Sequence, residues 1–308
     1  MVSPANVRVP AKINLCLGVG PVRADGYHPL ATVYQAVDLH DEVRATVRDD
    51  AEITIAVHTE LDVRGTDELT IVPENDDNLA VRAARLLRER TGVTAGVDLA
   101  IRKVIPVAGG MAGGSADAAA ALVACNEVWG TGLTRSALEA LAAKLGSDVP
   151  FLLHGGNAIG GGRGETVSPV LARGSYHWVF AMAHEGLSTR AVFAEHDRLA
   201  AGRPVPEPEV PDALLAALRA GDAVALGDAL SNDLTDAALS LRPELEDTLS
   251  LGLEAGALGA ILSGSGPTAL FLASDEQHSL DIAFALGSAP GCADVVQSRG
   301  PVPGARLT

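Results

Sequence analysis

Between a short β-branched run and a long alanine-rich stretch, the chain carries Pro106-Val107-Ala108-Gly109-Gly110-Met111-Ala112-Gly113-Gly114-Ser115-Ala116-Asp117. Glycines placed there let the backbone approach a ligand closely and turn its N–H groups inward. The helix expected after them offers its positive N-terminal end to an anion. The chemistry this points to is phosphate binding. A tight strand-to-helix turn would also use small residues, so the segment alone leaves that plainer reading open. No lysine followed by Ser or Thr closes it, as a Walker A loop requires, and its spacing does not fit G-x-G-x-x-G.

Two further residues could act on a phosphate held there. Only three of the 23 basic residues are lysines (Lys12, Lys103 and Lys144), so Lys12 in Pro10-Ala11-Lys12-Ile13-Asn14-Leu15 points to a need for a compact ammonium. A solvated surface charge is the alternative. Lys103, just before the glycine segment, invites the same reading. Asp148 sits in Gly146-Ser147-Asp148-Val149-Pro150-Phe151, one carboxylate on a turn among apolar neighbours. Phosphoryl transfer needs little covalent help from a protein: one acid to orient or deprotonate an alcohol and one cation to balance charge suffice. Taken alone, Asp148 reads equally as a helix-end turn residue. The eight histidines form no H-E-x-x-H, and no serine lies in a G-x-S-x-G elbow, so zinc hydrolysis and serine esterase chemistry are not indicated.

These residues need elements to hold them. The first hundred residues read mainly as strands, at Val7 to Val9, Ala31 to Val37, Val43 to Val47 and Ile53 to Val57, broken by Gly and Asp. A helix interrupts them, with Asn78 as N-cap, Leu79, Ala83, Leu86 and Leu87 at helical spacing, and Gly92 closing it. Val97 to Ile101 reads as the strand before the glycine segment, and a helical pattern then runs through Trp129. A second helix spans about Thr134 to Leu145. Later come a strand at His177 to Met182, a proline-rich connector at Gly202 to Pro211, and several Ala/Leu-rich helices. Pro243 falls where a first helical turn would place it. A strand, glycine turn and strand follow over Leu258 to Leu272, and Gly300 to Thr308 reads as a loose tail.

Composition bounds the rest. With 308 residues, 47% apolar and 20% charged, the chain is a globular protein that needs no metal or disulfide staple. A net charge of −16 repels nucleic acid and anionic membrane surfaces, so any nucleotide phosphate must be held by local devices. Cys16, Cys125 and Cys292 lie far apart in apolar stretches, as reduced thiols do. No long apolar run follows Met1 to Lys12, and the chain reads as cytoplasmic, with no membrane partner. No heptad or apolar stripe marks an oligomer interface.

Taken together with Ile261-Leu262-Ser263-Gly264-Ser265-Gly266-Pro267, these segments resemble the three signature motifs of the galactokinase, homoserine kinase, mevalonate kinase and phosphomevalonate kinase (GHMP) superfamily, in the same order. The resemblance implies transfer of the ATP γ-phosphate to an alcohol. Within the superfamily, Pro10 to Leu15, Arg23-Ala24-Asp25-Gly26-Tyr27-His28 and Gly146 to Phe151 are similar to the branch whose acceptor is a cytidine diphosphate derivative of methylerythritol. That branch phosphorylates the 2-hydroxyl and serves isoprenoid precursor synthesis. A related kinase acting on homoserine, mevalonate or a sugar, and a catalytically silent nucleotide-binding protein, are the competing readings.

By the family's pattern Asp148 is the base and Lys12 its charge partner. Pro106 to Ala116 wraps the ATP phosphates, and Lys103 and the Asn78-Leu79 region lie nearer the adenine. Asn14 faces the erythritol hydroxyls. Tyr27 and His28 surround the cytosine, with Phe193 on its other face and Thr189 beside it. Met111, Ala112 and Ala116 depart from the residues common in the family's loop, and Ala112 stands where a side chain is often absent. Mg²⁺ is expected as ATP's companion without a protein-supplied metal site, because Gly114 stands where some relatives hold the ion with a serine. The implied fold is two-domain α+β, with an ATP-binding mixed-sheet half over residues 1–165 and a ferredoxin-like half over 166–308.

Overall fold

The protein is described from a computed structural model, covering residues 3–59, 72–162, 164 and 166–308. Residue 165, where the sequence places the division between halves, and Met1 lie outside the described residues.

A long antiparallel pair opens the chain. Strands β1 (Ala5–Val19) and β2 (Leu30–Arg48) run in register from Ala5↔Ala45 to Val19↔Leu30, with slips between Pro10 and Ala11 and between Asn14 and Cys16. Pro10 has no N–H to give the ladder, so an irregularity belongs there. The second slip breaks the alternation beside Asn14. Strand β3 (Ile53–Thr59) pairs in parallel with β4 (Gly96–Lys103), which in turn pairs with β2. Helix α1 (Leu79–Thr91) begins at Asn78, whose side chain accepts from the Ala80 N–H, and ends at Gly92 in the left-handed conformation, as its sequence signals require.

Helix α2 (Gly113–Val128) is the pillar of this half. Ala116, Ala118 to Leu122, Ala124 and Cys125 are wholly buried, so the helix is covered on nearly every side. Alanine allows that close approach to β1, β2 and α1 without voids. Helices α3 (Arg135–Ala142) and α4 (Val149–His154) and strands β5 (Asn157–Gly161) and β6 (Thr166–Pro169) complete the half.

Past residue 175 the order is strand β7 (Tyr176–Met182), helices α5 (Thr189–Ala200), α6 (Asp212–Ala220) and α7 (Ala223–Asp228), and strand β8 (Ser231–Asn232). Helices α8 (Thr235–Leu241) and α9 (Glu244–Glu254), strands β9 (Gly259–Leu262) and β10 (Ala269–Ala273), helix α10 (Glu276–Leu286) and strands β11 (Asp294–Gly300) and β12 (Arg306–Leu307) follow. The sheet β11-β7-β10-β9 is antiparallel throughout, and its strand order with α9 and α10 against it is that of a ferredoxin-like sandwich. The larger sheet is mixed, as the α+β reading expects. One core cluster joins the larger sheet to one face of the smaller through Trp178, Phe180 and Leu270, and a second lies on the smaller sheet's other face, where Val179 and Phe271 meet Leu245 of α9 and Ile282 of α10.

Three expectations change. The strands read at Ala31 to Val37 and Val43 to Val47 are one strand, since Asp41, which looks like a break, is fully buried and satisfied by ligands from elsewhere. Pro243 caps α9 one residue before its first turn. The tail is not loose. Ala305 is fully buried, β12 pairs with β1 through Val7↔Leu307, and the Arg135 guanidinium donates to the Ala305 carbonyl at 3.3 Å. The segment satisfies the open edge of β1, a role its own composition does not announce.

Candidate active site

A cavity of about 470 Å³ opens where the two sheets meet. Its floor is the glycine-rich segment. Ala108, Gly110 and Ala112 take positive φ values of 53°, 76° and 59°, left-handed at every second residue. That pattern turns successive backbone N–H groups toward one side and makes a concave anion receptor, with the N-terminus of α2 at its end. Two of the three left-handed residues are alanines, so the loop carries strain that a glycine would not.

The second glycine turn lies against the first. The Ser263 hydroxyl donates to the Gly110 carbonyl at 3.1 Å, and a Cβ on Gly110 would stand 1.8 Å from the Ser263 carbonyl oxygen. Only a residue without a side chain fits. Asn232, on β8, donates its amide to the Leu262 and Gly264 carbonyls at 3.0 and 2.7 Å and so holds this turn in place. Nothing local in the sequence marks Asn232.

Lys12 and Asn14 point into the cavity from β1. The Lys12 ammonium donates to Asn14 Oδ1 at 2.7 Å, Asn14 Nδ2 donates to Thr32 Oγ1 at 2.7 Å, and Thr32 donates to the Cys16 carbonyl at 2.6 Å. The Tyr34 ring lies 5.8 Å from the same ammonium. Burial lowers the Lys12 pKa, and the field of Asp148 opposes that. Asp148 precedes α4, makes no capping bond of its own, and faces the same cavity.

Lys103 occupies the back wall with 1% of its surface exposed. Its ammonium is bound to Asp41 and, at 2.9 Å, to Asp117. Burial alone would lower its pKa, but Asp117 and Asp41 together hold it above the ordinary value. Asp117 is pushed up to about 7 by burial, against the pull of Lys103. Neither carboxylate was singled out for a role by sequence reasoning. The available signal for Asp117 was an acid near the start of a largely apolar helix.

The structure thus gathers Lys12, Asn14, Lys103, Asp148, Thr189, Phe193 and residues 106–110 and 112–114 around one space. Met111 and Ala116 are buried in the core instead, and Ser115 is not among the lining residues. Thr189 bonds Ser265 at 2.9 Å, joining α5 to the second glycine turn. His28 and Tyr27 stand outside the lining. The His28 ring stacks on Phe193 at 5.4 Å, its Nδ1 2.7 Å from the Gly20 carbonyl oxygen, while Tyr27 is 55% exposed.

Known proteins share this architecture. The family model described as GHMP kinases N terminal domain matches residues 78–156, and GHMP kinases C terminal matches residues 214–291. A 4-diphosphocytidyl-2-C-methyl-D-erythritol kinase of Thermobifida fusca (strain YX) is 56% identical over 302 residues, 98% of this chain and 97% of that one. The protein of the same name from Mycolicibacterium smegmatis is 52% identical, over 98% and 91% of the two chains. Among solved structures, a 4-(cytidine 5'-diphospho)-2C-methyl-D-erythritol kinase superposes with a TM-score of 0.75 at 31% identity, covering 95% of this chain and 98% of that one. A homoserine kinase from Cytophaga hutchinsonii reaches the same TM-score at 19% identity over 100% and 98%, which speaks to the fold alone.

Proposed function

The chain belongs to the GHMP kinases, and from that premise we infer that it phosphorylates the 2-hydroxyl of 4-diphosphocytidyl-2-C-methyl-D-erythritol with ATP, giving ADP and the 2-phosphate. The reaction is a step toward isoprenoid precursors. The observation that carries the reading is a single cavity lined at once by the anion-receiving loop, the Lys12 and Asp148 pair, and an aromatic edge at Phe193.

Each part has a physical task. The loop amides and the α2 terminus receive the triphosphate, which a chain of net charge −16 can hold only by such local devices. Lys12, desolvated and steered by Asn14, supplies positive charge where the transferring group gathers negative charge. Asp148 orients the acceptor hydroxyl and takes its proton as the O–P bond forms. Asn14 contacts the erythritol end, and Thr189 lies beside Phe193 on the substrate side. Phe193, with His28 stacked beside it and Tyr27 near the chain's exposed edge, receives the cytosine by stacking. Residues 106–116 and Lys103 form the nucleotide side. We place the functional division at residues 1–165 and 166–308, with the cleft between.

Mg²⁺ would accompany ATP and supply charge neutralisation at its phosphates. Among the described residues no group of three or more His, Cys, Asp or Glu side chains is arranged to hold a metal ion, and Gly114 brings no side chain, so no step is assigned to a protein-held metal. The three cysteines are free, which supports a reducing, cytoplasmic setting. Among the described residues no helix is long and apolar enough to cross a membrane.

The test is ADP release by the purified protein with Mg·ATP and, separately, 4-diphosphocytidyl-2-C-methyl-D-erythritol, homoserine and mevalonate. Turnover of the cytidyl alcohol alone is expected. Turnover of another alcohol in its place overturns the substrate, and turnover of none overturns the activity.

A further inference from the structure

The glycine-rich loop has two ends, and one buried charge cluster holds both. At the entry, Asp41 Oδ1 accepts the backbone N–H groups of Val104 and Ile105 at 2.6 and 2.8 Å. At the exit, Asp117 stands in the second turn of α2. Between them the Lys103 ammonium binds Asp41 Oδ2 and Asp117 Oδ2. The last stretch of loop rests on the same group, since a Cβ on Gly113 would lie 3.0 Å from Lys103 Nζ. All three side chains are essentially removed from water, with 0 to 2% exposed.

A buried ammonium shared by two carboxylates is costly to assemble and gains little over an apolar packing of the same volume. Its return is geometric, because each charge fixes the direction of its partner. The cluster also reaches the cavity. Lys103 and Asp117 both line it, and Asp117 Oδ1 is buried without a hydrogen-bond partner. Its position is therefore felt by whatever occupies the loop.

We propose that Asp41 and Asp117 are positioning residues for ATP, acting through Lys103 as a tether that pins both ends of the glycine-rich loop in its phosphate-receiving shape. The inference rests on the kinase reading above. Removing one carboxylate leaves Lys103, on its flexible stem, short of a partner, and frees the loop's entry or exit to relax. The loss falls on the triphosphate, because the groups that meet the acceptor alcohol, Asn14 and Asp148, sit on β1 and before α4 and take no bond from the cluster.

The experiment compares the full-length wild type with Asp117→Asn, which keeps the side-chain shape, and Asp41→Asn. Mg·ATP and CDP, a probe of the acceptor side, are titrated separately by calorimetry, with thermal melting alongside. In each variant the dissociation constant for Mg·ATP is expected to rise about ten-fold or more while that for CDP stays within about two-fold. In steady state the KM for ATP rises with little change in kcat. Should Asp41→Asn fail to fold, Asp117→Asn decides the matter, since it alters one oxygen only. A lower melting temperature with unchanged Mg·ATP affinity, or equal losses for Mg·ATP and CDP, overturns the tether. Failure of the wild type itself to bind Mg·ATP is a separate result, which overturns the kinase reading beneath it.

Discussion

Gly110 is where the two glycine turns press together, and Gly110→Ala tests whether that contact is as tight as the structure makes it. The residue has φ of 76°, and an added Cβ would lie 1.8 Å from the Ser263 carbonyl oxygen and 3.2 Å from that of Gly266. A left-handed conformation costs an L-residue about 1–2 kcal/mol, and forced overpacking about 1–3 kcal/mol more. Alanine recovers about 0.4–1 kcal/mol by restricting the unfolded chain. The net expectation is a loss of about 2–4 kcal/mol, a large part of a domain's total stability. Urea unfolding with linear extrapolation reads it, and a Mg·ATP titration reads the accompanying displacement of the loop. Gly114→Ala is the control, because the nearest atom to its Cβ outside its own helix backbone would be Leu79 Cδ1 at 3.8 Å. The control should shift stability by less than about 1 kcal/mol. A Gly110→Ala protein with wild-type stability and ATP affinity would refute the reasoning, since neither strain nor collision would then exist.

Ala112, left-handed at φ of 59°, gives the opposite sign: Ala112→Gly removes about 1–2 kcal/mol of strain, less the entropy glycine adds to the unfolded chain, for a gain of about 0.5–1 kcal/mol. A higher urea midpoint at unchanged slope is the expected reading, and a lower midpoint contradicts it. His40 makes stability pH-dependent. Burial first, then Arg8, pushes its pKa down to about 4 from 6.5, so between those values the unfolded chain takes a proton that the folded one refuses. Its contribution is complete above pH 6.5 and is lost as pH falls toward 4, about 1–2 kcal/mol of it between pH 7 and 5. Asp117, raised to about 7, works in the opposite direction over the same range. The comparison is therefore wild type against His40→Gln, which leaves Asp117 in both. The variant should lose less stability on acidification, and parallel curves contradict the assignment.

The local signals in the sequence were sufficient where neighbours in the chain decide the structure. Asn78 and Gly92 bound α1 as caps do, and the glycine-rich segment stands between β4 and α2 as its composition requires. Lys12, Asp148 and most of residues 106–114 do share a cavity: Asp148 and the loop stand where an element begins, while Lys12 reaches it from the middle of β1. What stayed hidden depends on partners far along the chain. Asp41 reads as a strand break because its partner Lys103 is 62 residues away. Asn232 supports a turn that begins 30 residues later, through a two-residue strand too short for any periodicity. The tail at 300–308 gains its order from the edge of β1, which is the far end of the sequence. Met111 and Ala116, read as part of a phosphate loop, bury their side chains in the core, Met111 from between two left-handed residues and Ala116 from within α2, so only their backbone is left to meet a phosphate.

Asp148 carries the account. The decisive measurement is a ³¹P NMR time course with Mg·ATP and 4-diphosphocytidyl-2-C-methyl-D-erythritol, run on wild type and on Asp148→Asn with Mg·ATP affinity measured in parallel. A phosphomonoester signal growing with ADP in the wild type, slowed on the order of 10²–10⁴-fold in the variant at unchanged ATP affinity, is the predicted result. The same signal at the wild-type rate in the variant would show that the proton leaves by another route and that Asp148 is only a turn residue.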